Sequence, residues 1–219
     1  MCGRFITPQQ SDIERHWHLV PGDAYRQSFN LAPSQRAWVI RLDAEQNRSI
    51  EPFVWGFQPH WASRAWINAR AETVFGSRAF APAAKRYRCL VPTIGWYEWV
   101  GDKPKQPYVF HLAGLKPFAF AGIFTARPVD GADELNFAIL TRNASPDIAA
   151  LHHRMPAIVP PDAYADWLDP STPAARLEAI LGVSTEQVQT YTVSTYVNRP
   201  ANNDAECMRM VEAPSASDG

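Results

Sequence analysis

Cys2 follows Met1 directly. Aminopeptidases remove an initiator methionine when a small residue comes next, and the chain would then begin with cysteine. Such a residue carries a free α-amine and a thiol on one frame, with reference pKa values of about 8 and about 8.5. A 1,2-aminothiol captures aldehydes in two steps: the amine forms a Schiff base, then the thiol closes a five-membered thiazolidine. Position alone favours the plainer alternative, an incidental cysteine in a flexible N-terminus.

Three further clusters carry chemistry. Trp66-Ile67-Asn68-Ala69-Arg70-Ala71-Glu72, with Ser77-Arg78 beyond it, offers an amide that both donates and accepts at Asn68. Arg70 and Arg78 suit phosphates, and Trp61 and Trp66 suit base stacking. The plain alternative is a polar loop with aromatics turned to the core. In Gly95-Trp96-Tyr97-Glu98-Trp99, a strand sets Glu98 on the face of Trp96 and puts Tyr97 and Trp99 opposite. A carboxyl among aromatics resists ionisation and suits proton transfer; the alternative is an exposed glutamate on an edge strand. In Leu151-His152-His153-Arg154-Met155-Pro156, neighbouring histidines on a short helix do not share a face, so a joint metal site is not expected. One histidine suits general acid–base work near neutral pH, and a helix-end histidine held by the dipole is the alternative.

These residues need a scaffold. Thr7-Pro8 predicts a helix start, with Ile13, Trp17 and Val20 on one face and Gly22 as its end. Strands are expected at Ala37–Leu42, Ile50–Phe57, Cys89–Trp99, Tyr108–Leu112, Phe118–Phe124, Phe137–Thr141, Met155–Val159 and Val188–Ser194. Helical turns are expected over Thr73–Arg86, interrupted by Pro82, over Ser145 to His152, after Pro160-Pro161, and from Ser171 to Gly182. Nineteen prolines against eleven glycines favour many short elements. There is no βαβ alternation, so the expected class is α+β: one domain over residues 1–212, with a curved, mostly antiparallel sheet or barrel-like core and short peripheral helices. Residues 213–219 read as a disordered tail.

With 219 residues, 46% hydrophobic and 20% charged, the chain is excluded from global disorder. The net charge of −1 conceals an asymmetry, +5 over residues 1–90 and −6 over residues 91–219. A basic surface in the first part is therefore compatible with nucleic acid. Arginine outnumbers lysine 17 to 4, which favours phosphate recognition, although biased genome composition has the same effect. Cys2, Cys89 and Cys207 form no disulfide or zinc pattern, and a reducing, cytoplasmic setting is expected. The segment Met1-Cys2-Gly3-Arg4-Phe5 does not read as a secretory leader, and with no run of about 18 apolar residues a membrane span is not expected.

Taken in order, Met1-Cys2-Gly3-Arg4-Phe5, Asn30-Leu31-Ala32-Pro33, Trp55-Gly56-Phe57, Ile67-Asn68-Ala69-Arg70-Ala71-Glu72-Thr73, Arg88-Cys89-Leu90-Val91-Pro92, Gly95-Trp96-Tyr97-Glu98-Trp99 and His152-His153-Arg154-Met155-Pro156 resemble the SOS response-associated peptidase family, whose members are abasic site processing proteins. The resemblance implies covalent capture of abasic sites in single-stranded DNA through Cys2, with no cofactor and no metal, by a monomer associated with the nucleoid. It places the family's catalytic Asn, Glu and His on Asn68, Glu98 and His152; the His-x-Arg-x-Pro spacing selects His152 over His153. It implies DNA contacts from Arg4, Pro33, Trp61, Trp66, Arg70, Arg78 and Arg154. Members often carry two adjacent tryptophans at the position of Trp61, whereas Ala62 follows here. Two other readings remain at this stage: a thiol peptidase or autopeptidase built on Cys2, His152 and Glu98, and a non-covalent binder of single-stranded or modified DNA.

Overall fold

A computed structural model describes residues 2–183 and 188–212. The expected tail, 213–219, lies outside the described residues. In chain order the elements are β1 (Phe5–Ile6), α1 (Gln10–Trp17), β2 (Arg36–Leu42), β3 (Arg48–Trp55), β4 (Asn68–Arg70), α2 (Ala81–Arg86), β5 (Arg88–Thr93), β6 (Gly95–Val100), β7 (Gln106–Leu112), β8 (Phe118–Val129), β9 (Ala132–Asn143), β10 (Arg154–Pro156), β11 (Ile158–Val159), α3 (Tyr164–Leu168), α4 (Ala174–Gly182) and β12 (Val188–Thr192).

The strands form two sheets. The larger closes on itself: β9-β3-β2-β5-β8 is a path of neighbours, and β8 pairs again with β9, which makes a five-strand barrel. Among the described residues only β3 and β4 run parallel to β9, and the other pairings of this sheet are antiparallel. The smaller sheet has the order β1-β6-β7-β12. The α+β, mostly antiparallel, barrel-like class expected from the sequence is the one observed.

Side-chain alternation explains how the barrel fills. Ala37, Val39, Phe53, Trp55, Cys89, Val91, Phe118, Phe120, Phe137 and Ile139 recur at a period of two and form one buried cluster. Phe53 and Phe124 sit on strands that are not neighbours yet pack at 5.2 Å, so this face lines the barrel interior. Phe5 of β1 meets Trp55 at 5.1 Å, and Trp96 of β6 meets Phe120 at 5.9 Å, so the smaller sheet packs into the same aromatic core. Burial of each such ring contributes roughly 1.5–3 kcal/mol. The opposite parity, Ile40, Leu90, Ala119, Ala121 and Leu140, packs with residues of α1, α3 and α4.

Several local expectations change. Cys89–Trp99 is not one strand: the chain breaks at Ile94, and β5 joins the barrel while β6 joins the smaller sheet. The break is hydrogen-bonded, since Thr93 Oγ1 donates to Ile6 O at 2.8 Å and accepts from Gly95 N at 3.1 Å. Pro82 lies at the start of α2 rather than inside a helix, because a missing N–H costs nothing in a first turn. Residues 145–152 make turns and no helix. Thr7 does not cap α1; its hydroxyl accepts from Ser28 N at 2.6 Å, and α1 ends at His18 with φ 57°. The two strands around Asp130-Gly131 extend to twelve residues each, paired as one long hairpin.

Gly95 is required by close approach. A Cβ there would lie 2.7 Å from the carbonyl oxygen of Phe110, a backbone atom fixed by β6–β7 pairing. Gly95→Ala is expected to destabilise the fold by about 1–3 kcal/mol, as overpacking does. Urea denaturation checks this, and an unchanged midpoint contradicts it.

Candidate active site

The junction of the two sheets gathers residues far apart in sequence. β1 pairs with β6 in the register Phe5↔Trp96, and Tyr97 N donates to Arg4 O at 3.0 Å. Continued by two residues, that register sets Gly3 opposite Glu98 and brings Cys2 to the same end of the sheet. On its other side Phe5 exchanges backbone hydrogen bonds with Leu31. The N-terminal arm is therefore zipped on both sides, and Cys2 is fully buried.

The barrel supplies the opposite wall. β4 lies parallel to β9 in the register Asn68↔Ile139, with Ile139 N donating to Ile67 O at 3.1 Å. This turns the Asn68 amide to Cys2, and its Nδ2 donates to Cys2 O at 2.8 Å. Asn68 Oδ1 is buried and has no hydrogen-bond partner among the described residues. A buried acceptor of this kind can accept a hydrogen bond from a hydroxyl or amine of a bound molecule. His152 arrives through the turn before β10, held by His152 N donating to Ile148 O at 3.0 Å. Its Nε2 lies 3.8 Å from Glu98 Oε2.

Electrostatics separates these groups. Burial pushes the Glu98 carboxyl up to about 7. Burial pushes the His152 imidazole below its ordinary value, so it is neutral where Glu98 still carries a proton. Burial, with Glu98 adding to it, pushes the Cys2 thiol well above its usual value. An acid and a base of different character therefore face one another beside a protonated thiol.

Asn68, Glu98, His152 and Cys2 are thus brought together. His153 stacks on His152 with ring centroids 4.8 Å apart and is itself exposed. Trp61 is 57% exposed on the loop between Phe57 and Trp66, whose neck is closed by two backbone hydrogen bonds of 2.9 Å. Trp61 and Trp66 lie 6.1 Å apart, and Trp66 packs edge-on against Phe80. Pro33 is half-buried, and Arg70 and Arg78 are exposed.

Two of the arginines expected to contact DNA are engaged internally. Arg4 Nη1 donates to Asn30 Oδ1 at 2.8 Å and to Val197 O at 3.0 Å, and its guanidinium lies over Trp99. Arg154 is buried and forms a fork with both carboxylate oxygens of Glu72. Sequence reasoning missed Asn30 and Glu72 in these roles, although both lie within quoted motifs; a buried Asn in Asn30-Leu31-Ala32-Pro33 was the available signal. It also missed Lys105, whose charge lowers the affinity of Glu98 and of His152 for a proton. Arg64, placed over Trp66, was likewise unmarked.

No helix of the described residues is long and apolar enough to cross a membrane. Residues 1–200 match the family described as SOS response associated peptidase (SRAP). The chain is 32% identical to the abasic site processing protein YoaM of Bacillus subtilis, over 95% of this chain and 97% of that one. It is 30% identical to the abasic site processing protein YedK of Escherichia coli, over 96% of this chain and all of that one. The crystal structure of a phage-related protein from Bordetella bronchiseptica superposes with a TM-score of 0.71 at 31% identity, covering 88% of this chain and 94% of that one.

Proposed function

This chain belongs to the SOS response associated peptidase family, and from that premise we propose that it captures abasic sites in single-stranded DNA as a covalent thiazolidine on Cys2. The observation that carries the reading is the convergence of Cys2, Asn68, Glu98 and His152 on one junction, with Cys2 and Glu98 buried and Asn68 and His152 half-buried. The relatives named abasic site processing proteins agree with it.

Abasic deoxyribose differs from ordinary DNA sugar in holding an aldehyde in equilibrium with its closed ring. Met1 removal frees the Cys2 amine. His152 assists ring opening by proton transfer at the sugar oxygen. The amine adds to C1′, and Glu98 protonates the departing hydroxyl, so that one water leaves and an imine forms. The Cys2 sulfur then bonds to C1′, its proton passes to the imine nitrogen, and the ring closes. The raised pKa of the thiol fits this order, in which the amine attacks first. Asn68 holds the Cys2 carbonyl and offers Oδ1 to the opened sugar.

Trp61 and Trp66 stack on bases, with Pro33 packing beside the strand. Arg70 and Arg78, being exposed, take flanking phosphates. Arg4 and Arg154 serve from within, Arg4 by fixing the N-terminal arm. Residues 1–212 act as one domain.

A thiol peptidase is less well supported, because a buried, protonated thiol beside a carboxyl lacks the electropositive setting of a thiolate nucleophile. Incubation with abasic and intact single-stranded DNA separates the readings. The expected result is a conjugate on abasic DNA alone that survives SDS. Salt-labile complexes without a conjugate, or repeated cleavage of added peptide, would replace the proposal.

A further inference from the structure

His152 Nδ1 meets two groups of one residue: the Arg154 carbonyl oxygen at 2.7 Å and the Arg154 N–H at 3.1 Å. A neutral ring nitrogen cannot donate and accept at once. The shorter contact assigns the proton to Nδ1, which leaves the Nε2 lone pair directed at Glu98, 3.8 Å away. The tautomer is therefore set by the placement of the Arg154 peptide.

That peptide is anchored through its own side chain. Arg154 Nη1 donates to Glu72 Oε1 at 2.6 Å and Asn143 Oδ1 at 2.7 Å; Nη2 donates to Glu72 Oε2 at 2.9 Å and Thr141 O at 2.6 Å. Glu72 is the only anion among these acceptors, and it also accepts from Asn143 N at 3.2 Å, tying the clamp to the end of β9. The Arg154 guanidinium holds the Glu72 carboxyl below the usual range. Glu72 lines a cleft of about 440 Å³ together with Phe75, Gly76, Arg142 and Leu181 and is exposed, so one side of the clamp is open to solvent.

We propose that Glu72 is a positioning residue: by its bidentate clamp on Arg154 it fixes the peptide that holds His152 in the Nδ1–H tautomer, with Nε2 facing Glu98 as the proton acceptor. The inference rests on the reading of His152 as a proton-transfer group, but the tautomer is measurable without DNA.

The test uses ¹⁵N imidazole shifts of His152 in DNA-free protein, with the rate of adduct formation and the affinity for intact single-stranded DNA measured alongside. The native chain is expected to give one Nδ1–H tautomer. Glu72→Ala is expected to give a tautomer mixture and an adduct rate lower by about tenfold, within what ångström-scale misplacement costs, with affinity unchanged. Sodium formate, entering through the cleft, is expected to restore both readouts, and Glu72→Asp to retain most of them. Should Glu72→Ala not fold, Glu72→Gln carries the same comparison, since its amide N–H groups oppose the Arg154 fork. A native-like His152 spectrum in folded Glu72→Ala or Glu72→Gln overturns the proposal, even if the melting temperature falls. If the native chain forms no adduct, the functional reading fails, while the spectra still decide whether Glu72 sets the tautomer.

Discussion

Cys2→Ala is expected to lose the SDS-stable adduct with abasic single-stranded DNA entirely, while borohydride still traps an imine on its N-terminal amine. Alanine keeps the α-amine and permits Met1 removal, so C1′ is still attacked; without sulfur the ring cannot close, and the imine hydrolyses. The fixed arm makes the comparison clean, because β1 pairing with β6 and the Asn68 bond to Cys2 O use backbone atoms that alanine retains. Gel analysis with and without borohydride reads both outcomes. A Cys2→Ala adduct as durable as the native one removes the sulfur from the mechanism, and failure of borohydride trapping removes the amine-first step.

Glu98→Gln is expected to slow adduct formation by about 10²–10⁴-fold, the usual contribution of a positioned acid or base. It is also expected to erase a pH limb near 7, where the Glu98 carboxyl titrates because burial resists its ionisation. In the native chain the rate should fall as pH rises through that value, because the acid that protonates the departing hydroxyl is lost. The same shift affects stability. The folded pKa of about 7 stands above the ordinary 4.5, so the folded state binds more protons between those values. The stabilisation is complete below 4.5 and is lost as pH rises through 7. Glu98→Gln does not ionise, so its melting temperature should gain on the native chain from pH 5 to pH 8. An unchanged pH–rate limb, or a gap in melting temperature that does not grow, contradicts the assignment.

Some of this was legible in the sequence for physical reasons. Period-two alternation placed Trp96 and Glu98 on one face, and the structure sets Trp96 in the aromatic core and Tyr97 in a separate cluster with Ile6 and Val197. Short elements punctuated by proline led to the α+β class. The split of Cys89–Trp99 was hidden because both halves are rich in β-branched or aromatic residues; the strand pairing and the bonds of Thr93 reveal the change of sheet. β1 and β4 are two and three residues long, too short for periodicity to register, yet they carry Cys2 and Asn68 to the junction. Arg4 and Arg154 read as cations for phosphate because charge is visible in sequence and burial is not. Their acceptors, Asn30, Val197 and Glu72, come from segments that only the tertiary fold brings near.

The asymmetry of charge also acquires a location. Exposed Arg64, Arg70 and Arg78 lie in the part of the chain whose sum is +5, Arg64 within the loop that carries Trp61 and the other two beyond it in sequence. Modest attraction for intact strands is expected from so few exposed cations. Selectivity for damage then falls to the aldehyde chemistry at Cys2.

The central claim is tested most directly by intact mass spectrometry after mixing the protein with single-stranded DNA bearing one abasic site. One species is expected, at the mass of the chain without Met1 plus the oligonucleotide, less one water. A chain that retains Met1 and forms the adduct, or an oligonucleotide recovered unmodified beside fully processed protein, would contradict it.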